Sequence, residues 1–396
     1  MTHGPASHPS PSAPAPAAVR VAVCALTDVG RTREHNEDAF LVADLSEPEP
    51  LTFLNDESAV RGHDAVATRG VDAGTEGVLF LVADGLGGAA AGEIASRMGA
   101  RAVFDALRER VAEASADAGQ YAVALRDAVL AANTAIHRHA LRHAELRGMG
   151  TTLTAAALRG DTLYLAQVGD SRGYLIRDGV AQQLTKDQSL MQKLVEAGEI
   201  TPEQAETSVR RNIILQALGP EASVKVDLTH QQLRRGDLLL LCSDGLSGQV
   251  RAHELAEAAA DASDLAALCR ELIARANATG GPDNITVVAA RFDGAGLVDA
   301  SQGDAIGHQR FPLGSPTPTT PIEPVSAAVL DAPALALPVP GQAAGLPAEP
   351  PPAPGVTPVE LAERRDRAKV AYVGLAILAV VLAALLAWRF YSERRI

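Results

Sequence analysis

Leu79-Phe80-Leu81-Val82-Ala83-Asp84-Gly85-Leu86-Gly87-Gly88 is the stretch from which the rest of the chain is read. An apolar run ends in a carboxylate, and small residues follow at once. The pattern predicts a buried strand that delivers one acid to the edge of a sheet. The glycines let the backbone turn tightly and approach an ion or a phosphate without a Cβ in the way. A helix is expected soon after, with Glu93 in its first turn.

One strand-end acid is common, but here the pattern returns. Leu238-Leu239-Leu240-Leu241-Cys242-Ser243-Asp244-Gly245 repeats it: apolar strand, aspartate, glycine. Asp170 follows the apolar run 162–168, within Gly169-Asp170-Ser171-Arg172. Asp283, in Gly280-Gly281-Pro282-Asp283-Asn284, precedes a strand expected over 285–292. Upstream, a strand at 19–26 runs into Asp28-Val29-Gly30-Arg31-Thr32-Arg33-Glu34-His35-Asn36-Glu37-Asp38. That turn crowds an arginine, an amide and two adjacent acids together. Successive strand residues point to opposite faces, so at most one of Glu37 and Asp38 faces a given site. Taken alone, this stretch reads more readily as a charged hairpin loop.

Carboxylates gathered in a cleft repel one another and raise each other's pKa unless a cation neutralises them. Oxygen ligands without His or Cys select hard ions, Mg²⁺ or Mn²⁺ rather than zinc. Two such ions about 3.5–4 Å apart, bridged by a carboxylate, acidify a shared water and clamp phosphate oxygens during in-line attack. Arg33 is the candidate for a fork-shaped donor to phosphate. The bland reading of any single Asp-Gly pair is a capped turn.

Composition narrows the classes. The formal charge is −13, which disfavours a nucleic-acid phosphate track. Cys24, Cys242 and Cys269 are scattered without a C-x-x-C, so neither a zinc site nor a disulfide framework is indicated. Of 24 prolines, 19 lie in 1–18 and 312–358, which leaves one folded unit expected over 19–293. The leader 1–18 lacks an apolar signal region and reads as disordered. Residues 45–76 read as a surface insertion between strands. Helical spacing predicts helices through Ile94–Val111 and Tyr121–Ile136 positions, strands at 151–159, 162–168 and 173–176, and helices at 252–260 and 264–277. His139 and His143, four apart on a helix, form a possible chelating pair, weighed against a solvated face that accounts for them better. Residues 186–219 are polar, with Gly198 and Pro202 as breaks and a thin apolar stripe, and read as a flap outside the core.

In order along the chain stand D-V-G-x-x-R-x-x-N-E-D, V-A-D-G-x-G-G, G-T-T, V-G-D-S-R, S-D-G-L and P-D-N-I-T-V. Together they resemble the metal-dependent Ser/Thr protein phosphatases of the 2C type, in a bacterial-style version, over about residues 21–292. The resemblance implies an α+β fold: a four-layer α-β-β-α sandwich with two central antiparallel sheets and a metal cleft at one end. It implies Mn²⁺ or Mg²⁺ as a pair of ions, with a third in bacterial members, and phosphorylated proteins as substrates. By position, Asp84 resembles the bridging aspartate and Gly85 the residue that offers a backbone carbonyl. Asp244 and Asp283 resemble ligands of the other ion, and Asp170 with Asp244 resembles the pair at the third. Glu37 or Asp38 matches the acid pair that holds metal-bound water or an ion, and Arg33 matches the phosphate-gripping arginine. Asn212 falls where the flap touches that third ion in the family. Where many eukaryotic relatives carry a His that protonates the leaving alcohol, this chain has Leu86, which leaves the acid unassigned. A cognate Ser/Thr kinase is a further family expectation. An inactive, phosphoprotein-binding relative is the rival, and the retention of all four aspartates argues against it.

Residues 294–366 are rich in Pro, Ala and Thr and read as a linker. Residues 370–388 are nineteen in number, uncharged, and about 28 Å long as a helix, which matches a hydrocarbon core. Tyr372 and Trp388 stand near its ends. A short basic tail, 389–396, follows. The expectation is a tail-anchored membrane enzyme with a cytoplasmic catalytic unit.

Overall fold

The structure is a computed structural model that describes residues 19–53, 66–87, 89–113, 117–206, 208, 210–301 and 304–312. The chain divides into two units, Met1–Leu330 and Asp331–Ile396, and every described residue belongs to the first. The leader 1–18, the apolar span 370–388 and the tail 389–396 lie outside the described residues. Among those described, no helix is long and apolar enough to cross a membrane.

The chain begins with β1 (Val19–Asp28), β2 (Ala39–Asp44), β3 (Thr52–Phe53), β4 (Val66–Ala73), β5 (Val78–Ala83) and β6 (Gly85–Leu86). Two long helices follow, α1 (Ala89–Glu113) and α2 (Ala118–Arg142). Then come β7 (Gly150–Thr151), β8 (Leu153–Arg159), β9 (Thr162–Val168), β10 (Arg172–Arg177) and β11 (Val180–Gln183). The short helices α3 (Leu190–Glu196) and α4 (Pro202–Glu206) precede β12 (Asp227–Gln232) and β13 (Leu238–Cys242). The unit continues through α5 (Asp244–Ser247), α6 (Ala252–Asp261), α7 (Leu265–Ala278) and β14 (Ile285–Asp293).

Two six-stranded sheets result, ordered β11-β10-β13-β14-β1-β4 and β12-β9-β8-β5-β2-β3. Among the described residues, every pairing between their strands is antiparallel. Strand alternation explains the layers. In β5, Leu79, Leu81 and Ala83 pack against α1 and α2, while Val78, Phe80 and Val82 face the other sheet. In β13, Leu239 and Leu241 face between the sheets, while Leu238, Leu240 and Cys242 meet α6 and α7. A strand buried on both faces needs an unbroken apolar sequence. This is why 79–83 and 238–242 lack the polar alternation of a half-exposed strand. Full burial of each such Leu or Phe contributes about 1.5–3 kcal/mol. Phe80 and Phe292 meet edge to face across the interior, with ring centroids 6.1 Å apart. The four-layer α-β-β-α order expected from the resemblance is the order of these three cores.

Two boundaries differ from the sequence reading. The segment 45–76 is not only an insertion, because β4 within it pairs with β1 and closes one sheet edge. Its Gly70 and charged residues hide the strand from a pattern search, although Val71 in it is buried. The folded unit also runs past 293, into the expected linker. Leu297 and Ile306 pack between the sheets, and Phe311 packs against Tyr164 and His230. His230 donates its N–H to the Gln309 carbonyl at 2.9 Å, and Phe311 donates to the Leu228 carbonyl at 2.9 Å, so 309–311 lie along β12. Single apolar anchors in a polar segment leave composition unchanged, and composition was the only signal available there.

Candidate active site

Register brings the acids to one end of the sandwich. Ala83 at the end of β5 pairs with Ala39 at the start of β2, so Asp84 leaves that sheet where Asp38 enters it. In the other sheet, Cys242 at the end of β13 pairs with Val287 near the start of β14, which places Asp244 and Asp283 together. The two sheets are tied there by Thr286, whose hydroxyl donates to Asp38 Oδ2 at 2.6 Å. Asp170 follows β9, opposite the start of β8.

The backbone around Asp84 is held tightly. Its N–H donates to Thr152 Oγ1 at 3.1 Å, and its carbonyl accepts from the Thr152 N–H at 2.8 Å and from the Thr151 hydroxyl at 2.9 Å. The Thr152 and Ser171 hydroxyls stand 2.7 Å apart, which ties Asp84 to the Gly169-Asp170-Ser171-Arg172 turn. Gly85 begins β6, and a Cβ there would strike the carbonyls of Glu37 and Gly92. Leu86 pairs with Gly150 in β6 and β7 and is half-buried, with no proton to give.

The loop that carries Arg33, Glu37 and Asp38 is organised by a residue the sequence reading passed over. Asn284 accepts from the Glu37 N–H at 2.8 Å and donates to the carbonyls of Val29 and His35 at 3.0 and 2.9 Å. Thr286 and Ser243, on Asp38, were also missed. The available signal was the polar alternation of Asn284, just before β14, and Thr286, its second residue, ahead of an apolar run. Arg33 Nη2 lies 2.8 Å from Asp283 Oδ2 at the half-exposed rim. Glu37 is half-buried beside Gly92, whose missing Cβ makes room for its carboxylate. Asn212 is exposed in the flap segment. His139 and His143 stack on each other, 4.2 Å between centroids, and among the described residues they join no metal-binding group.

Burial dominates the electrostatics, and mutual repulsion adds to it. Desolvation raises Asp84 well above the usual carboxylate range, with further contributions from Asp38, Asp244, Asp170 and Asp283. Desolvation pushes Asp38 up to about 7, against hydrogen bonds from Thr286 and Ser243. Asp170 rises to about 8 through desolvation and then Asp244. Asp244 rises to about 6 through desolvation and then Asp283, offset in part by a hydrogen bond with Asp84. Desolvation also raises Glu37, with Arg33 pulling the other way.

This donor set fits a hard divalent cation. Its donors are oxygens, it carries excess negative charge out of water, and Asp170 Oδ1 is buried with no hydrogen-bond partner. Among the described residues no group of three or more His, Cys, Asp or Glu is arranged to hold one ion.

A pH dependence follows for the metal-free protein. An acid whose pKa is higher in the folded state than its unfolded value of about 3.9 keeps its proton longer when folded. Between about pH 4 and about pH 8 the folded state therefore binds more protons, and stability falls as pH rises through that window. With a chelator present, thermal melts should give a lower midpoint at pH 8 than at pH 5.5, and excess Mn²⁺ should narrow the gap. A pH-independent midpoint in chelator would contradict the cluster's repulsion.

Residues 60–288 match the family model described as protein phosphatase 2C. The chain belongs to the protein phosphatase 2C family. A serine/threonine phosphatase named stp, from Listeria monocytogenes, is 37% identical over 267 residues, which is 67% of this chain and 94% of that protein. The Mycobacterium tuberculosis serine/threonine protein phosphatase PstP is 44% identical over 213 residues, 54% of this chain and 40% of that protein. Among solved structures, the PstP catalytic domain in complex with two manganese ions superposes with a TM-score of 0.53 at 36% identity. It covers 69% of this chain and 99% of that one. Protein phosphatase 2C enzymes use Mn²⁺ or Mg²⁺, in agreement with the donor chemistry found here.

Proposed function

We infer that this protein is a metal-dependent protein serine/threonine phosphatase that hydrolyses phosphoserine and phosphothreonine in proteins. The observation that carries it is the convergence of Asp38, Asp84, Asp170, Asp244 and Asp283 at one end of a protein phosphatase 2C sandwich. A Mn²⁺ or Mg²⁺ pair, when bound, supplies positive charge to the phosphate oxygens and acidifies water for attack. We assign Asp84, the Gly85 carbonyl, Asp244 and Asp283 to hold that pair, and Asp170 with Asp244 to hold a third ion. Glu37 or Asp38 orders the water around them. Arg33 meets the phosphate at the rim. Its pair with Asp283 is half exposed and therefore weak, so its planar fork can exchange a carboxylate for phosphate oxygens at little cost. No side chain at the Leu86 position protonates the leaving serine or threonine oxygen.

The test is phosphate release from a phosphoserine peptide. Chelation should stop it and Mn²⁺ should restore it. Arg33→Ala should lower kcat/KM by about 10–10²-fold, mostly through KM, the scale of a lost charge-assisted hydrogen bond. No release at saturating Mn²⁺ would defeat the assignment.

We also propose that the uncharged run at 370–388 anchors the protein in a membrane, with its catalytic unit cytoplasmic and opposed to a Ser/Thr kinase. Membrane fractionation tests the anchor: deletion of 370–388 should move the protein to the soluble fraction. An unchanged distribution would reject it. An unaltered phosphoproteome in a deletion strain would count against the kinase pairing.

A further inference from the structure

Asp170 is buried, and its Oδ1 has no hydrogen-bond partner. What aims that carboxylate is therefore chiefly the backbone of its own turn. Gly169 has φ +104°, and a Cβ on it would collide with Thr152, so the turn has little slack. Both polar groups of Gly169 meet one residue of the flap root, and the carbonyl is shared with Gln167, whose Nε2 donates to it at 3.2 Å. The Gly169 N–H donates to Gln188 Oε1 at 3.0 Å, and the Gln188 N–H donates to the Gly169 carbonyl at 2.9 Å.

Gln188 also reaches the other arm of the flap. Its carbonyl accepts from the Leu215 N–H at 2.8 Å, and its Nε2 donates to the Lys225 carbonyl at 3.1 Å. Beside it, Leu190 donates to the Ile213 carbonyl at 2.9 Å, and Ser189 bridges Ile214. The neighbouring Asp187 is gripped by Arg172, whose Nη2 lies 2.7 Å away, which fixes the flap root to β10. One residue thus joins three segments: its main chain holds the returning flap arm, and its side chain holds the turn that presents a site acid and the stretch at Lys225 that follows the flap.

We propose that Gln188 is a positioning residue that makes docking of the flap and placement of the Asp170 carboxylate a single event. The proposal rests on the phosphatase reading above. Loosening the flap then misdirects Asp170, and turnover falls without a matching loss of peptide affinity.

Two variants separate the contacts. Gln188→Leu removes both side-chain hydrogen bonds at similar volume. Gln188→Glu keeps the acceptor for Gly169 and loses the donor to Lys225. Two quantities are read on the full chain: kcat and KM for a phosphoserine peptide with saturating Mn²⁺, and the rate of tryptic cleavage at the exposed Arg210 and Arg211. Gln188→Leu should lower kcat about tenfold with KM nearly unchanged, and should raise the cleavage rate by a similar factor, the scale of one or two net hydrogen bonds. Gln188→Glu should fall between Leu and wild type on both readings, and it carries the test if the Leu variant does not fold. Faster cleavage with wild-type kcat would reduce Gln188 to a structural role and overturn the proposal. Reduced kcat with unchanged cleavage would overturn it as well, as would no change in either. A wild-type protein inactive with Mn²⁺ would sink the phosphatase reading and this proposal together, whereas an active wild type with unaffected variants sinks only the latter.

Discussion

Asp84→Asn should lower Mn²⁺-dependent turnover of a phosphoserine peptide by about 10³-fold and, in the metal-free protein, raise the melting temperature by several degrees. The two effects have one cause. Asn preserves the shape of the side chain but removes a charge at the centre of the cluster, where Asp38, Asp244, Asp170 and Asp283 all act on it. Without a cation, that charge is buried among like charges and destabilises the fold. With the cation, it is the charge that holds the ion, and several kcal/mol of transition-state stabilisation disappear with it. The fold should survive, because Thr151 and Thr152 hold Asp84 through its backbone rather than its carboxylate. Circular dichroism, thermal melts in chelator and steady-state kinetics measure all three quantities. Wild-type turnover would remove Asp84 from the site, and a melting temperature below wild type in chelator would show that its carboxylate supports the fold instead.

Arg177→Met should destabilise the protein by about 3–5 kcal/mol at unchanged intrinsic activity. Arg177 and Asp237 are both buried and are joined twice, from Nε to Oδ1 at 2.7 Å and from Nη2 to Oδ2 at 2.6 Å. Arg177 also donates to the Gln232 carbonyl at 3.1 Å, and Asp237 accepts the Arg234 N–H at 2.7 Å. The pair therefore joins the end of β10 to the turn between β12 and β13, and so one sheet to the other. Removing the arginine leaves a carboxylate buried with its main partner gone. Arg177→Met combined with Asp237→Leu should recover part of the loss, but not all of it, because the Arg234 N–H then lacks an acceptor. Urea unfolding of the two variants decides the point: equal stability would mean that the cost is lost packing and not an orphaned charge.

How much of this was legible beforehand differs from element to element. The runs 79–83 and 238–242 announced doubly buried strands, because only a wholly apolar sequence can present both faces to a core. The strand-end acids at 84, 170, 244 and 283, three of them beside glycine, announced a hard-cation site, because their chemistry is local to each residue. β4 was hidden, since Arg69, Gly70 and Asp72 interrupt any hydrophobic period in an edge strand. The extension to 312 was hidden for a related reason, since Leu297, Ile306 and Phe311 act singly. Asn284, Ser243 and Thr286 could be seen in the sequence but not interpreted, because their partners lie on a loop some 250 residues away.

The sequence by itself settled which residues can carry charge to a strand end, which strands must be sandwiched, and which family the motifs belong to. Only the tertiary structure decided which acids come close enough to act on one another, how far each is desolvated, and that Gln188 ties the flap root to the turn carrying Asp170. The reason is physical. Propensity and periodicity depend on neighbours along the chain, whereas desolvation, mutual repulsion and hydrogen-bond partnership depend on distances that exist only once the sheets have packed.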